Sequence, residues 1–342
     1  MKTSTLTLIL ASLLLMLGSC DNNPTGIRAT GVYFDIVVVA HPTTWNNTAG
    51  ILINDELTSS IPGLLDEPFM RVTYAPTHEF KGLLTYVRNI LVVNIDETLY
   101  TRVSAKTEHN RWSVGQVVVH LNSPSESLLV DYLKENEGIL VNYFARTEMN
   151  RMADALQKSY NIPAMEKLNA QFSIKMNIIT DINKFITDES DFFWVSNNAN
   201  AGRMDMVVYT FPYTDPQTFT REYMISMRDS VLGVNVPGSF PNSYMSTNAM
   251  FTTYAPISLY GKYCGVLRGW WEMKGDMMGG PFVSYARLDE INNRVVVAEG
   301  FVYAPETDRK KNMMRRLEAS LYTLRLPGEF DTMLESPVIN ND

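Results

Sequence analysis

The chain has 342 residues, 45% hydrophobic and 19% charged, a globular composition long enough to bury a full core without covalent staples. Its formal charge is −8, and an acidic surface gains nothing from a phosphate backbone, so nucleic acid is not an expected partner. Two cysteines are too few for a disulfide framework, so stability is expected from packing.

Lys2 precedes an apolar run over 6–17 that closes on Leu17-Gly18-Ser19-Cys20. A positive start, a run of about 7–15 apolar residues and small residues before a cleavage point read as an export signal over 1–19. A cysteine directly after Leu-Gly-Ser resembles a bacterial lipobox. That resemblance implies cleavage before Cys20, palmitate-type acyl chains on the mature cysteine, and a chain lipid-anchored to a membrane of the cell envelope, with the periplasmic or surface face left open. Losing Lys2 and no acid takes the charge from −8 to −9. No later stretch reaches the roughly 18 apolar residues of a spanning helix, so the mature chain is expected to be anchored and not inserted. With Cys20 acylated, Cys264 is alone, and its place in a strand-like run reads as a buried structural thiol.

Residues 20–30, broken by Pro24 and Gly26, read as a flexible tether. The run 33–40 with its three valines reads as a buried strand. A helix is expected over 45–59, stopped by Pro62-Gly63. Strands over 70–74 and 89–95 flank a helix over 78–87, and 101–106 with 114–121 suggest a hairpin. Ser123-Pro124-Ser125-Glu126 reads as a capping box with proline at the first helical position. Behind it Leu129, Tyr132, Leu133, Leu140, Tyr143, Phe144, Met152 and Leu156 mark one long helix to about residue 159, or two meeting near Gly138. Asn161-Ile162-Pro163 reads as its end. An N-terminal α/β region with the long helix is therefore expected over 31–165, and a β-rich α+β region over 166–330.

In the second region, 172–180 alternates as a half-buried strand. Strands follow over 192–196 and 204–213, then a helix over 216–232 with Phe219, Tyr223, Met227 and Val231 inward. The stretch 244–303 reads as strands joined by turns at 275–280 and 289–294, an antiparallel meander. A last helix over 307–323 turns Met313, Leu317, Leu321 and Leu324 inward, and 331–342 is an aperiodic tail. The fold class is α+β, mixed sheet layers with packed helices, the C-terminal half a meander closed by a C-terminal helix.

No G-x-S-x-G, H-E-x-x-H, paired C-x-x-C or G-x-x-x-x-G-K-[ST] is present. His41, His78, His109 and His120 are isolated from one another, so no metal or other cofactor is expected. His41, at the end of the first strand, is the weak catalytic candidate, since strand ends of α/β sheets line ligand crevices. A hydrolase reading would need a carboxylate beside it. Asp181, Asp188, Glu189 and Asp191 form an acidic patch that reads as a solvated loop; Asp181-Ile182-Asn183 opens like a calcium loop, but Ile186 and Phe192 stand where glycine and glutamate are required. Arg309, Lys310, Lys311, Arg315 and Arg316 read as a solvated helix face. In 269–275 strand alternation puts Trp271 and Met273 on one face and Trp270, Glu272 and Lys274 on the other. Trp270 and Trp271 are the candidate binding residues, one toward the core and one able to serve as a sugar or peptide platform.

The runs 267–273, 278–284, 288–290, 295–297, 300–305 and 317–319, with Arg88-Asn89-Ile90-Leu91, Glu67-Pro68 and the lipobox, resemble a block in Bacteroidota envelope lipoproteins assigned to a domain of unknown function. That resemblance implies an envelope location and carries over no catalytic residue. Asp229-Ser230-Val231 and Asp331-Thr332-Met333 resemble the short O-glycosylation acceptor of that phylum, which makes Ser230 and Thr332 candidate modification sites. The sequence as a whole points to an envelope-anchored, non-catalytic binding or assembly protein for a protein or glycan partner. The alternative is a hydrolase built on His41.

Overall fold

The computed structural model of the chain describes residues 26–187, 189–308 and 310–329. Cys20, the signal and Thr332 lie outside the described residues, as do Asp188 and Arg309. The fold is α+β and divides into two compact units.

The first unit comprises the described residues up to Thr58 together with Met70–Leu140. The chain order is β1 (Asp35–Ala40), α1 (Pro42–Trp45), α2 (Thr48–Leu57), the short β2 (Ser60–Ile61) and β3 (Leu64–Pro68), β4 (Arg71–Pro76), β5 (Asn89–Ile95), β6 (Ser104–His109), β7 (Val117–Ser123) and α3 (Glu126–Glu135). Strands β2 and β3 pair with each other and belong to the second unit. The others form a sheet of order β4-β1-β5-β7-β6, parallel except where β6 runs against β7. A central parallel strand covered on both faces reads as a continuous apolar run; hence the valines of β1. Val37, Val39, Ala75, Ile90 and Val118 form one core layer, with Phe80, Leu84 and Trp112 packed on it.

Two expectations fail here. The helix over 78–87 is a single 3₁₀ turn, Gly82–Tyr86, because Gly82 takes a left-handed φ of 63° inside the apparent period. Ser123 does not cap the following helix. It closes β7 opposite Ile95, and its hydroxyl donates to the Ser125 carbonyl at 2.7 Å. Ser125 is the cap, its Oγ accepting from the Leu128 N–H at 3.4 Å. Of the two readings of the long stripe, the break at Gly138 is observed: φ of +86° there separates α3 from α4 (Ile139–Lys158).

The second unit comprises Ser59–Phe69 and the described residues from Val141. After α4 come α5 (Ile162–Phe172), β8 (Lys184–Phe185), β9 (Phe192–Ser196), β10 (Arg203–Pro212), α6 (Arg221–Asn235), β11 (Tyr244–Leu259), β12 (Lys262–Lys274), β13 (Gly279–Asp289), β14 (Arg294–Tyr303) and α7 (Lys311–Leu321). The seven strands pair antiparallel in the order β11-β12-β13-β14-β10-β9-β8. Helix α5 is the element the sequence reading lacks. Asn161 starts it, accepting from the Ala164 N–H at 3.1 Å, and Pro163 lies in its first turn; the triplet taken as a stop is a start. The alternation over 172–180 does bury Ile174, Met176 and Ile178. Yet the segment joins no strand beyond one bridge, Lys175 to Arg325. Its N–H groups instead donate to Thr323 Oγ1 (from Asn177, 2.8 Å) and Ser320 Oγ (from Ile179, 3.2 Å) at the end of α7. The turn between β11 and β12, Tyr260-Gly261 with φ of 54° and 72°, also escapes the sequence reading; two positive φ values suit a two-residue hairpin.

Helices cover both faces of this sheet. On one, α6 buries Met224, Arg228 and Leu232, while Phe219, Tyr223, Met227 and Val231 are only partly buried, against a layer that includes Trp271, Phe282 and Phe301. On the other, α7 presents Met314, Leu317 and Leu321, with Met313 left partly exposed. Gly300 on β14 makes this possible, since a Cβ there would stand 2.8 Å from Leu317 Cβ. No helix among the described residues is long and apolar enough to cross a membrane. Leu317→Ala is expected to lower the unfolding free energy by about 3 kcal/mol, read as a shift of the urea midpoint at unchanged slope, with Gly300→Ala also destabilising because Leu317 must move.

Candidate functional site

Charges placed on a sheet covered by helices must be neutralised inside the unit. On the α6 face, Arg228 and Glu299 are both buried. The guanidinium donates to the carboxylate from Nε (2.9 Å) and Nη2 (2.7 Å) and to Thr247 Oγ1 from Nη1 (2.8 Å), and its carbon lies 3.9 Å from the Phe282 ring centroid. Burial pushes the Glu299 carboxyl up from its ordinary value, and Arg228 pulls against that. On the α7 face, Arg268 donates to both oxygens of Glu318, at 2.8 Å for Nη1 to Oε2, and Tyr285 donates to Glu318 Oε1 at 2.8 Å. Burial pushes the Glu318 carboxyl up, but the Arg268 charge and these hydrogen bonds outweigh it and hold the carboxyl below the usual range.

The second pair forms part of a cleft of about 880 Å³ within the second unit. Its walls come from α4, α7, the β2–β3 hairpin and the β11–β12 edge of the sheet. Among the described residues five cations line it, Arg146, Lys262, Arg268, Lys311 and Arg315, against one carboxylate, Glu318. The cations are not equivalent. Arg268 is committed to Glu318, Lys311 donates to the Pro68 carbonyl at 3.2 Å and Arg315 to the Phe69 carbonyl. Arg315 is buried, which lowers its pKa to about 10, opposed by Glu318, Glu148 and Glu67. Arg146 and Lys262 are exposed to the cleft, and neither charged group has a hydrogen-bond or ion-pair partner among the described residues. The backbone of the α7 N-terminus is fixed by Glu67 of β3, whose carboxylate accepts from the N–H groups of Lys310 (2.6 Å) and Lys311 (3.1 Å). The solvated basic face expected for this helix is therefore wrong for Arg315 and Lys311, which the hairpin carbonyls draw inward.

The sequence candidates lie elsewhere. His41 caps α1: the Thr43 N–H donates to Nδ1 at 3.3 Å and the Thr43 hydroxyl lies 2.7 Å from it. Thr43 is its partner, and no carboxylate pairs with it among the described residues. Trp271 is buried in the α6 layer, its indole N–H donating to the Val302 carbonyl at 3.2 Å and its ring edge-on to Phe301 at 5.8 Å. Trp270 points the other way and is half-buried over Gly279. Ser230 is exposed on α6, while the neighbouring Asp229 carboxylate is occupied by the Thr247 N–H and hydroxyl at 2.7 and 2.6 Å. Cys264 is fully buried, and burial pushes its thiol up to about 12. No group of three or more His, Cys, Asp or Glu side chains converges among the described residues. No sequence pattern singles out Arg146 or Lys262, and Arg315 reads only as part of a solvated helix face; the acids Asp66-Glu67 before Pro68, in an otherwise apolar stretch, were the available signal.

Residues 161–323 match the family model described as "Domain of unknown function (DUF4837)" and residues 29–157 the one described as "Domain of unknown function (DUF8532)". The two matches meet at the end of α4. No curated protein matches the chain. Among solved structures the chain is similar to the 1.9 Å crystal structure of the Saccharomyces cerevisiae Ran-binding protein Mog1p, at 10% identity over 45% of this chain and 89% of that chain with a TM-score of 0.28. It is also similar to a point mutant of protein Mog1, at 8% identity over 45% and 90% with a TM-score of 0.27. At such TM-scores neither likeness bears on this chain's function.

Glu318 supplies a pH test. A carboxyl held below its ordinary value contributes stability that is complete above about pH 4.5 and is lost as pH falls through the lowered folded value. Glu318→Gln is expected to be less stable than the parent at pH 7, with the gap closing as pH is lowered through that window; urea midpoints from pH 7 to pH 3 check it.

Proposed function

We propose that the chain is a non-catalytic binding protein held at a cell-envelope membrane by lipid on Cys20, and that its ligand enters the cleft of the second unit. The lipobox at 17–20 supports the tether, and the resemblance to Bacteroidota envelope lipoproteins supports the location. The observation that carries the binding reading is the state of Glu318. It is the one carboxylate lining the cleft among the described residues, and Arg268 and Tyr285 both donate to it, so it is a salt-bridged acceptor and not a base poised to take a proton. A protein or glycan partner, the sequence expectation, would present one end or one side group to a cavity of this size, which lies in the range of small-ligand sites. Trp270, half-buried on β12 opposite Pro281 of the cleft lining, offers an aromatic surface to such a partner.

Two measurements test this. Intact mass of the native protein is expected to show loss of residues 1–19 and acylation of Cys20, with Cys20→Ser moving the protein from the membrane to the soluble fraction. Material co-purifying with the native protein is expected to be lost in Ala145→Trp, which fills the α4 wall of the cleft, while the melting transition is kept. Retention of that material by Ala145→Trp places the ligand outside the cleft and ends the reading.

A further inference from the structure

An acidic chain, at −8 overall, gathers five cations and one carboxylate, among the described residues, around this cleft. That concentration runs against the rest of the surface. Like charges facing one cavity repel unless a counter-charge enters, and three of the five are already anchored to the protein, Arg268 by Glu318, Lys311 by Pro68 and Arg315 by Phe69. Arg146 and Lys262 are left for a ligand. The lining also carries aliphatic side chains, Leu64 from the hairpin, Met149 from α4, Val266 from β12 and Met314 from α7, beside the uncharged polar Asn142, Thr253 and Ser258. A fully hydrated inorganic anion would leave that wall wet, and an uncharged apolar molecule would leave the two cations without a counter-ion.

Resting on the cleft being the ligand site, we propose that it takes an anionic amphiphile: one carboxylate or phosphate head at the cationic rim formed by Arg146 and Lys262, and an aliphatic body along Leu64, Met149, Val266 and Met314. The head gains charge-assisted hydrogen bonds, and the body removes apolar area from water on both partners. A cavity of about 880 Å³ accommodates a single chain of this kind and not a lipid surface.

The test is titration calorimetry on the full chain carrying Cys20→Ser, so that no detergent competes, with decanoate and decyl phosphate as probes. Decyltrimethylammonium, acetate and inorganic phosphate supply the controls for head charge and for tail, and phosphatidylglycerol and phosphatidylcholine vesicles separate a free amphiphile from a membrane surface. One-to-one binding of decanoate or decyl phosphate is expected, weakened about tenfold by Arg146→Gln or Lys262→Gln and falling with ionic strength. Binding of the trimethylammonium probe as tight as that of the anions, binding to vesicles alone, or unchanged affinity in the Arg146→Gln/Lys262→Gln double variant would each overturn the proposal. If neither probe binds while Ala145→Trp still loses the co-purifying material, the ligand class is wrong and the cleft stands.

Discussion

Strands β13 and β14 are buried along nearly their whole length, with α6 against one face and α7 against the other. Charge on strands covered in this way is largely cut off from water and must bring its own partner. This constraint organises the second unit. Glu299 on β14 is answered by Arg228 from α6, and Arg268 on β12 by Glu318 from α7. Each helix is thereby fixed to the sheet by a directional pair as well as by apolar packing, and the position of that pair sets the helix rotation. In α6 it explains why Arg228 lies between Met224 and Leu232 in the buried stripe, displacing the apolar period by one residue from the one the sequence suggests.

The two pairs sit in different surroundings, and the difference separates structure from site. Arg228 and Glu299 are enclosed by Phe282, Met245 and Thr247; burial dominates there and raises the carboxyl. Arg268 and Glu318 keep some contact with the cleft, their side chains 25% and 10% exposed; burial is again the largest influence on the carboxyl, but the Arg268 charge together with the hydrogen bonds from Arg268 and Tyr285 outweighs burial and lowers the carboxyl. The same ion-pair chemistry thus closes a core on one face of the sheet and forms a wall of a cavity on the other.

Much of the fold was legible because periodicity reports burial. The valine run of β1, the strand over 89–95, the meander and the closing helix all announce their covered faces through spacing alone. What periodicity reports less well is which backbone groups a polar residue serves. Ser123 and Ser125 sit two residues apart in one capping motif, and only the pairing of Ser123 with Ile95 across β5 and β7 decides between them. Asn161-Ile162-Pro163 stops or starts a helix equally well until Ile182 takes the Asn161 amide (2.7 Å). The 172–180 segment alternates like a strand because its even-numbered side chains are buried, yet apart from the bridge to Arg325 the N–H groups of Asn177 and Ile179 go to the hydroxyls of Thr323 and Ser320 at the end of α7.

The cleft was illegible for a related reason. Its residues are spread from the β2–β3 hairpin to α7, so no window of sequence holds two of its walls. The link that brings the most distant parts together is Glu67, which binds the first N–H groups of α7 across 243 and 244 residues of chain. A carboxylate at that point does two things. It completes the orphan donors of the helix start and complements the dipole there, and it holds the hairpin so that the Pro68 and Phe69 carbonyls meet Lys311 and Arg315. Those carbonyls take up donors of two α7 cations that line the cavity. Arg146 on α4 and Lys262 on β12 are left as the two lining cations whose donors no described residue occupies; the carbonyl bonds of Lys311 and Arg315 use their donors but leave their positive charges in place.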